Sequence, residues 1–563
     1  MSRHRAGVLL GSTILIVVVV GAGSMALRIG PFSPPTPSAG PAPHFVDETA
    51  SSGLIHTYDG DLSNAVGGGL AVFDCNGDGR PDIFLAGGSN PAELFRNDSP
   101  VGGSLRFTPL HDPVTDITQV NGAYPIDING DGIADLVLLR NGLPPELLRG
   151  LGDCRFRDAT AEWGLSLPSR HTEAFSAMWE RDATLPTLAF GNYVDPTVRD
   201  PTTWCEADQL VRPALPAGGS SPSPRFGPPL DLRPSFCSLS MLFSDWDGSG
   251  RMDLRVSNDR DYYPQDIGRE QLWRIEPGQP PREYTAADGF APVQVQGMGI
   301  ASYDLTGDGL PEIYLTSEDD SKLQTLADGP SKPTYKNVGL EYGVNVTQPF
   351  TGPDVHLGST AWQPLFDDVN NDGLIDLFVS KGNVKGQLDH AMADPSNLLL
   401  GQPDGTFREA ADVAGIVTFD KSRGAALADF NLDGRLDLVL AKYGAPVQVW
   451  RNAGPVCAPE CAAIPAHWLA VRVSQPGPNV DAIGAVLEVQ AGGRTSRREL
   501  TIGGGHASGT LGWVHFGLGS ATSAQVRLHW PDGVVGPWLT VDVDAFILLD
   551  RTHGTAQPWQ PPG

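Results

Sequence analysis

Nine-residue loops of one design recur six times along this chain, and each runs directly into a short apolar stretch. The first is Asp74-Cys75-Asn76-Gly77-Asp78-Gly79-Arg80-Pro81-Asp82, and the others begin at Asp127, Asp245, Asp304, Asp368 and Asp429. Oxygen-bearing side chains stand at positions 1, 3, 5 and 9, the backbone carbonyl of position 7 faces the same centre, and position 6 is always glycine. Such a loop offers a hard cation five or more oxygen ligands, and the glycine permits the sharp turn between them. Calcium fits this density better than magnesium, which keeps its waters. The expected ligand positions are Asp74, Asn76, Asp78, Arg80 and Asp82; Asp127, Asn129, Asp131, Ile133 and Asp135; Asp245, Asp247, Ser249, Arg251 and Asp253; Asp304, Thr306, Asp308, Leu310 and Glu312; Asp368, Asn370, Asp372, Leu374 and Asp376; and Asp429, Asn431, Asp433, Arg435 and Asp437. Up to six ions follow, with weaker or selective occupancy at the Asp245 and Asp304 loops, where Ser249, Thr306 and Glu312 alter the pattern.

An EF-hand shares the opening of this pattern but needs glutamate at position 12 and helices on either side. Position 12 here is Leu85, Leu138, Val256, Leu315, Val379 or Leu440, inside runs such as Ile83-Phe84-Leu85 that read as buried strands. Asp-Gly clusters also make ordinary turns without metal. Three acids packed into each of six short loops repel one another, however, and bound cations relieve that repulsion.

The formal net charge of −27 argues against a nucleic-acid partner, whose phosphates call for a basic surface. Arg3 and Arg5 precede an apolar stretch from Ala6 to Leu27, long enough to cross a bilayer. Residues 1–30 therefore read as an uncleaved signal anchor, or as a signal peptide cut near Ser24-Met25-Ala26. Either way the bulk of the chain lies outside the cytoplasm, membrane-anchored or secreted. Six cysteines suit that compartment. Cys205 and Cys237 bracket a Pro/Gly/Ser-rich insertion and Cys457 lies four residues from Cys461; Cys75 and Cys154 form either a third pair or buried free thiols.

Residues 31–43 form a Pro/Ser-rich linker, and the repeats fill 44–455. Successive loops start 53, 118, 59, 64 and 61 residues apart. The long gap spans two periods, and Ser176-Ala177-Met178-Trp179-Glu180-Arg181-Asp182 with Leu185 to Phe190 marks a repeat that has lost its ligands. A second marker recurs as Phe45-Val46-Asp47, Phe156-Arg157-Asp158 and Phe407-Arg408-Glu409, the same strand of successive units. Several short strands per period, without helical periodicity, predict an all-β, seven-bladed β-propeller. Residues 465–551 alternate apolar and polar, as in Leu469-Ala470-Val471-Arg472-Val473, and predict a small C-terminal β-sandwich before a tail at 552–563. Gly503-Gly504-Gly505-His506 within it reads as a turn, because no helix follows to make a phosphate loop.

These loops and strands resemble the FG-GAP or VCBS-like repeats of integrin α-subunit propellers. His467-Trp468-Leu469, Asp481-Ala482-Ile483-Gly484-Ala485, Val514-His515-Phe516-Gly517-Leu518-Gly519 and Val526-Arg527-Leu528-His529-Trp530-Pro531-Asp532-Gly533 resemble the ASPIC/UnbV domain. Repeats followed by that domain are the layout of the cartilage acidic protein family. The resemblance implies calcium at the loops and a secreted or surface protein linked to matrix or adhesion. The blank third repeat, an insertion from Val194 to Pro234 and the lack of an EGF-like module depart from it.

Neither a Gly-x-Ser-x-Gly elbow nor a His-Glu-x-x-His helix occurs. The reading is a calcium-binding adhesion or scaffold module with an unidentified protein or glycan ligand, captured with calcium, and with the membrane as a partner if the N-terminal segment is retained. The alternative is a carbohydrate-active lyase or hydrolase using His356, Trp362, Asp259, Asp261, Tyr262 and Tyr263 on a channel face.

Overall fold

The computed structural model describes residues 39–561 apart from 182, 201, 215–223, 260–267, 319, 346–358, 385–393 and 456–465. The apolar N-terminal segment, Cys457 and Cys461 lie outside the described residues. Among the described residues no helix is long and apolar enough to cross a membrane.

Among the described residues strands dominate, and up to residue 455 they sort into seven four-stranded antiparallel groups, the second and third joined by a short pairing. The first group is Leu70–Phe73, Asp82–Leu85, Glu93–Asn97 and Phe107–Leu110. The last is Ser422–Ala428, Asp437–Lys442 and Gln448–Pro455, completed by Pro43–Asp47 from the opposite end of the chain. That pairing closes the ring of a β-propeller by hydrogen bonds.

The unbroken apolar runs follow from two-sided burial. In the strand Asp82–Leu85, Ile83 and Leu85 pack with Ala426, Val439 and Val449 of the last group, whereas Phe84 packs with Leu136, Leu138 and Leu148 of the second. Alternate residues of one strand thus serve two neighbouring sheets, and every position must be apolar. The recurring Phe45, Phe156 and Phe407 markers all fall on outermost strands: Pro43–Asp47, Phe156–Asp158 and Phe407–Glu409.

The ligand-poor repeat is a complete sheet of Arg170–Met178, Thr187–Asn192, Asp208–Val211 and Leu230–Leu232. Its outer two strands lie in the stretch read from the sequence as an insertion. Among the described residues two disulfides are present, Cys75–Cys154 and Cys205–Cys237. The first excludes the free-thiol alternative and ties the first nine-residue loop to the second sheet.

The C-terminal module is a sandwich of two four-stranded sheets. One contains Val514–Gly519, His467–Ser474, Ala545–Asp550 and Thr555–Trp559; the other contains Arg494–Glu499, Val486–Ala491, Ala524–His529 and Leu539–Val541. Leu469, Val471, Leu487, Val489, Val526 and Ile547 fill the space between the sheets. The strand Thr555–Trp559 lies in the residues read as a tail, so the module extends further than the alternation alone indicated.

Candidate functional site

Each nine-residue loop joins the innermost strand of its sheet to the second, and position 9 is the first residue of that second strand in all six copies. Each loop is held by hydrogen bonds from its own backbone to its side chains. The position-1 carboxylate accepts the N–H of the position-6 glycine at 2.7–2.9 Å in every copy. Those glycines have φ between 79° and 92°, the left-handed region that excludes most side chains.

Position 9 has a second task that the ligand pattern concealed. One oxygen of Asp82 accepts the Cys75 N–H at 2.9 Å and the other accepts the Asn97 N–H at 2.8 Å, clamping the loop to the third strand. Asp135, Asp376 and Asp437 repeat both bonds. Asp253 takes Trp246 Nε1 and the Ile275 N–H instead, and Glu312 takes the Leu305 N–H and Thr325 Oγ1. Burial raises the Asp82, Asp135 and Asp429 carboxyls to about 8 and pushes Asp368, Asp376 and Asp437 well above the ordinary range, with neighbouring loop acids adding to the shift. Among the described residues two buried loop oxygens, Asp304 Oδ1 and Asn431 Oδ1, find no hydrogen-bond partner.

All six loops touch the C-terminal module. Arg472 Nη1 lies 3.3 Å from Asp74 Oδ2, and Trp513 Nε1 donates to the Gly79 carbonyl at 2.9 Å. Gly130 backs onto Pro478, where an added Cβ would come within 2.8 Å of the Pro478 Cα. Glu499 accepts the Asp245 N–H at 2.8 Å, and Arg497 donates to Asp304 Oδ2 at 3.0 Å and to the Gly307 carbonyl at 3.2 Å. His515 Nε2 lies 2.7 Å from Asn371 Oδ1, and a Cβ on Gly434 would strike Trp468. Arg251 supplies a cation inside the Asp245 loop, donating to both oxygens of Asp253 at 3.1 and 3.2 Å.

Residues Ile502 to Thr510 of the module enter the propeller axis as a plug. Ser176 Oγ donates to the Ile502 carbonyl, the Gly504 N–H to Met241 O, the Gly505 N–H to Ile300 O and the His506 N–H to Gln363 Oε1. The Ala123 N–H donates to Ala507 O, the Leu70 N–H to Ser508 Oγ, and a Cβ on Gly424 would lie 2.4 Å from Ser508 Oγ. One short segment therefore meets the innermost strand of all seven groups, which requires those strands to surround a common axis. His506 is fully buried and its Nε2 lies 2.6 Å from the Val66 carbonyl. Burial, with the nearby Arg423 charge, lowers its pKa to about 4, so the ring is neutral and donates from Nε2. A cleft of about 280 Å³ remains beside the plug. The Gly503-Gly504-Gly505-His506 turn is thus a tertiary contact, and its signal was three consecutive glycines, all with positive φ.

Of the channel-face candidates, Trp362 is fully buried, donates to the Gly382 carbonyl at 2.7 Å and carries the Arg423 guanidinium 4.2 Å above its ring. Asp259 is buried and accepts Tyr193 OH at 2.6 Å. His356, Asp261, Tyr262 and Tyr263 lie outside the described residues.

Comparison with known proteins agrees with this architecture. The family model for FG-GAP-like repeats matches residues 74–138 and 368–440, and the model for ASPIC and UnbV matches 475–556. The chain thus carries FG-GAP-like repeats followed by an ASPIC/UnbV module. No curated protein matches it, so the likeness to cartilage acidic proteins rests on layout alone. Similar solved structures include a lectin from Burkholderia pseudomallei, 10% identical over 70% of this chain and 98% of that one, with a TM-score of 0.41. Another is Trypanosoma rangeli sialidase, 12% identical over 63% of this chain and 58% of that one, with a TM-score of 0.34.

Proposed function

We propose that this chain is an exported, calcium-loaded binding or scaffold propeller whose metal loops also seat its own C-terminal module. The observation that carries the reading is the convergence of six equivalent acidic loops on one surface, each in contact with that module. Raised, mutually repelling carboxyls and two unpartnered buried oxygens support a cation at the loops. The residues that would hold it are those at positions 1, 3, 5, 7 and 9; calcium there would neutralise the acids and stiffen the turns, a structural role. The Asp245 loop, where Arg251 already pairs with Asp247 and Asp253, takes calcium least readily. Two disulfides are consistent with folding outside the cytoplasm.

Because the module covers the loop surface, an external protein or glycan ligand docks elsewhere, on the opposite face of the propeller or its rim. No specific observation favours the carbohydrate-active alternative: the plug occupies the axis, and Trp362 and Asp259 are engaged in packing and hydrogen bonds. The test is retention of the purified chain on immobilised glycans and extracellular-matrix proteins, in calcium and in chelator. Saturable retention in calcium, lost with chelator, is the expected result. Glycoside turnover without stoichiometric retention would replace the binding reading by an enzymatic one.

A further inference from the structure

Five of the six loop-bearing groups place an equivalent residue at the end of the third strand, defined by the N–H it donates to the position-9 carboxylate: Asn97, Gly150, Ile275, Gly401 and Asn452. The sixth has the Thr325 hydroxyl on Glu312 instead. Of the five, the two asparagines carry a second donor. Asn97 Nδ2 donates to the Pro81 carbonyl at 2.9 Å, at position 8 of the first loop, and to the Phe430 carbonyl at 2.8 Å, at position 2 of the Asp429 loop. Asn452 repeats this one group earlier, donating to the Leu436 carbonyl of the Asp429 loop at 3.2 Å and to the Val369 carbonyl of the Asp368 loop at 2.9 Å. Both asparagines are 1% exposed. Gly150 and Gly401 offer no such bridge, and a Cβ added to either would come within 2.3 Å of the position-8 carbonyl of its own loop, Ala134 or Ile375.

Further contacts join the same three loops. Asn371, at position 4 of the Asp368 loop, donates through Nδ2 to the Gly434 carbonyl of the Asp429 loop at 2.8 Å. Asn431 Nδ2 donates to the Gly103 carbonyl at 2.9 Å while the Gly102 N–H donates to the Asn431 carbonyl at 2.8 Å, so the first group orients a ligand side chain of the last group's loop. These loops also flank the seam of the ring. Phe45 of the closing strand pairs with Asn452, and the Gly40 N–H, just before that strand, donates to Asp372 Oδ2 at 2.6 Å. The Cys75–Cys154 disulfide, in contrast, joins the first loop to the turn between Glu146–Gly150 and Phe156–Asp158, not to the Asp127 loop.

We propose that the Asp368, Asp429 and Asp74 loops bind calcium as one cooperative unit across the seam, whereas the Asp127 loop binds independently of it. The inference rests on the calcium reading of the loops. Position 2 lies between the ligands at 1 and 3, and position 8 between those at 7 and 9. Each bridging amide therefore holds backbone that adjoins the ligands of two loops at once. An ion that orders one loop also fixes the shared asparagine, and the next loop loses less freedom when it binds its own ion. A glycine or isoleucine in that place transmits nothing through its side chain.

The test is a calcium-binding isotherm of the full-length chain, by equilibrium dialysis with ion counting, for the parent, Asp433→Asn and Asp131→Asn. Both substitutions alter position 5, the first in the middle loop of the unit and the second in the Asp127 loop. Asp131→Asn is expected to lose one ion and leave the affinity of the others unchanged. Asp433→Asn loses its own ion and weakens two more by at least about fivefold. The pair Asn97→Gly and Asn452→Gly keeps the N–H bonds to position 9, removes both bridges, and is expected to make the parent isotherm shallower. If that double variant misfolds, the comparison of Asp433→Asn with Asp131→Asn still decides. One ion lost and none weakened in Asp433→Asn, or an isotherm unchanged by the two glycines, would overturn the inference while leaving calcium at the loops. No calcium bound by the parent would overturn both readings.

Discussion

Asp437→Ala is expected to destabilise the chain by about 3–5 kcal/mol even when no metal is present. The fully buried carboxylate accepts the Phe430 N–H at 3.1 Å and the Asn452 N–H at 2.8 Å. Removing it strands two buried donors, each costing about 1–3 kcal/mol. Asp433→Asn is the contrasting change. It sits at position 5 of the same loop, takes the Arg435 N–H at 3.0 Å, and keeps an oxygen for that bond. Urea unfolding in chelator separates the two roles. Asp437→Ala loses stability there, whereas Asp433→Asn stays within about 1 kcal/mol of the parent and loses its stabilisation by calcium. Equal behaviour of the two variants in chelator would remove the clamp role from position 9.

The second large effect belongs to the plug. Gly503 has φ +121°, and a Cβ there would meet Ser176 Oγ at 2.5 Å and the Met241 carbonyl at 2.8 Å. Gly503→Val adds a branched side chain to a backbone conformation that valine avoids, against strands that cannot move without opening the ring. The expected cost is at least about 3 kcal/mol, expressed as release of the module rather than unfolding of either part. Near-ultraviolet circular dichroism reports it, because Trp468, Trp513 and Trp559 pack edge-to-face with Phe546 against the propeller loops. An unchanged tryptophan spectrum and an unchanged unfolding midpoint would show that the plug does not hold the module.

Much of this architecture was legible because it is local and repeated. The nine-residue pattern located six strand entries, and the phenylalanine markers located outer strands, since each residue's role is set within its own sheet. The ligand-poor repeat was found from its strand-like apolar run although its loop keeps Glu180 and Asp182 without the spaced ligand pattern. What the sequence concealed was long-range or shared. Asp208–Val211 and Leu230–Leu232 complete a sheet across a long connection, so no fixed period marks them. The position-9 acids carry a clamp role under a ligand role, and one residue type serves both. Gly503 to Gly505 read as a turn; their partners lie on strands hundreds of residues earlier, and only the folded ring brings them together. Likewise the arginines Arg472 and Arg497 give no local sign that they face Asp74 and Asp304.

Calorimetry of the full-length chain in saturating calcium and in chelator, alongside a count of bound ions, tests the central claim most directly. Five or six calcium ions, one cooperative transition when loaded, and a lower transition that splits as the module separates in chelator are the predicted result. No bound calcium and identical transitions in both buffers would contradict the account, and would leave the loop acids as hydrogen-bonded turns that seat the C-terminal module without metal.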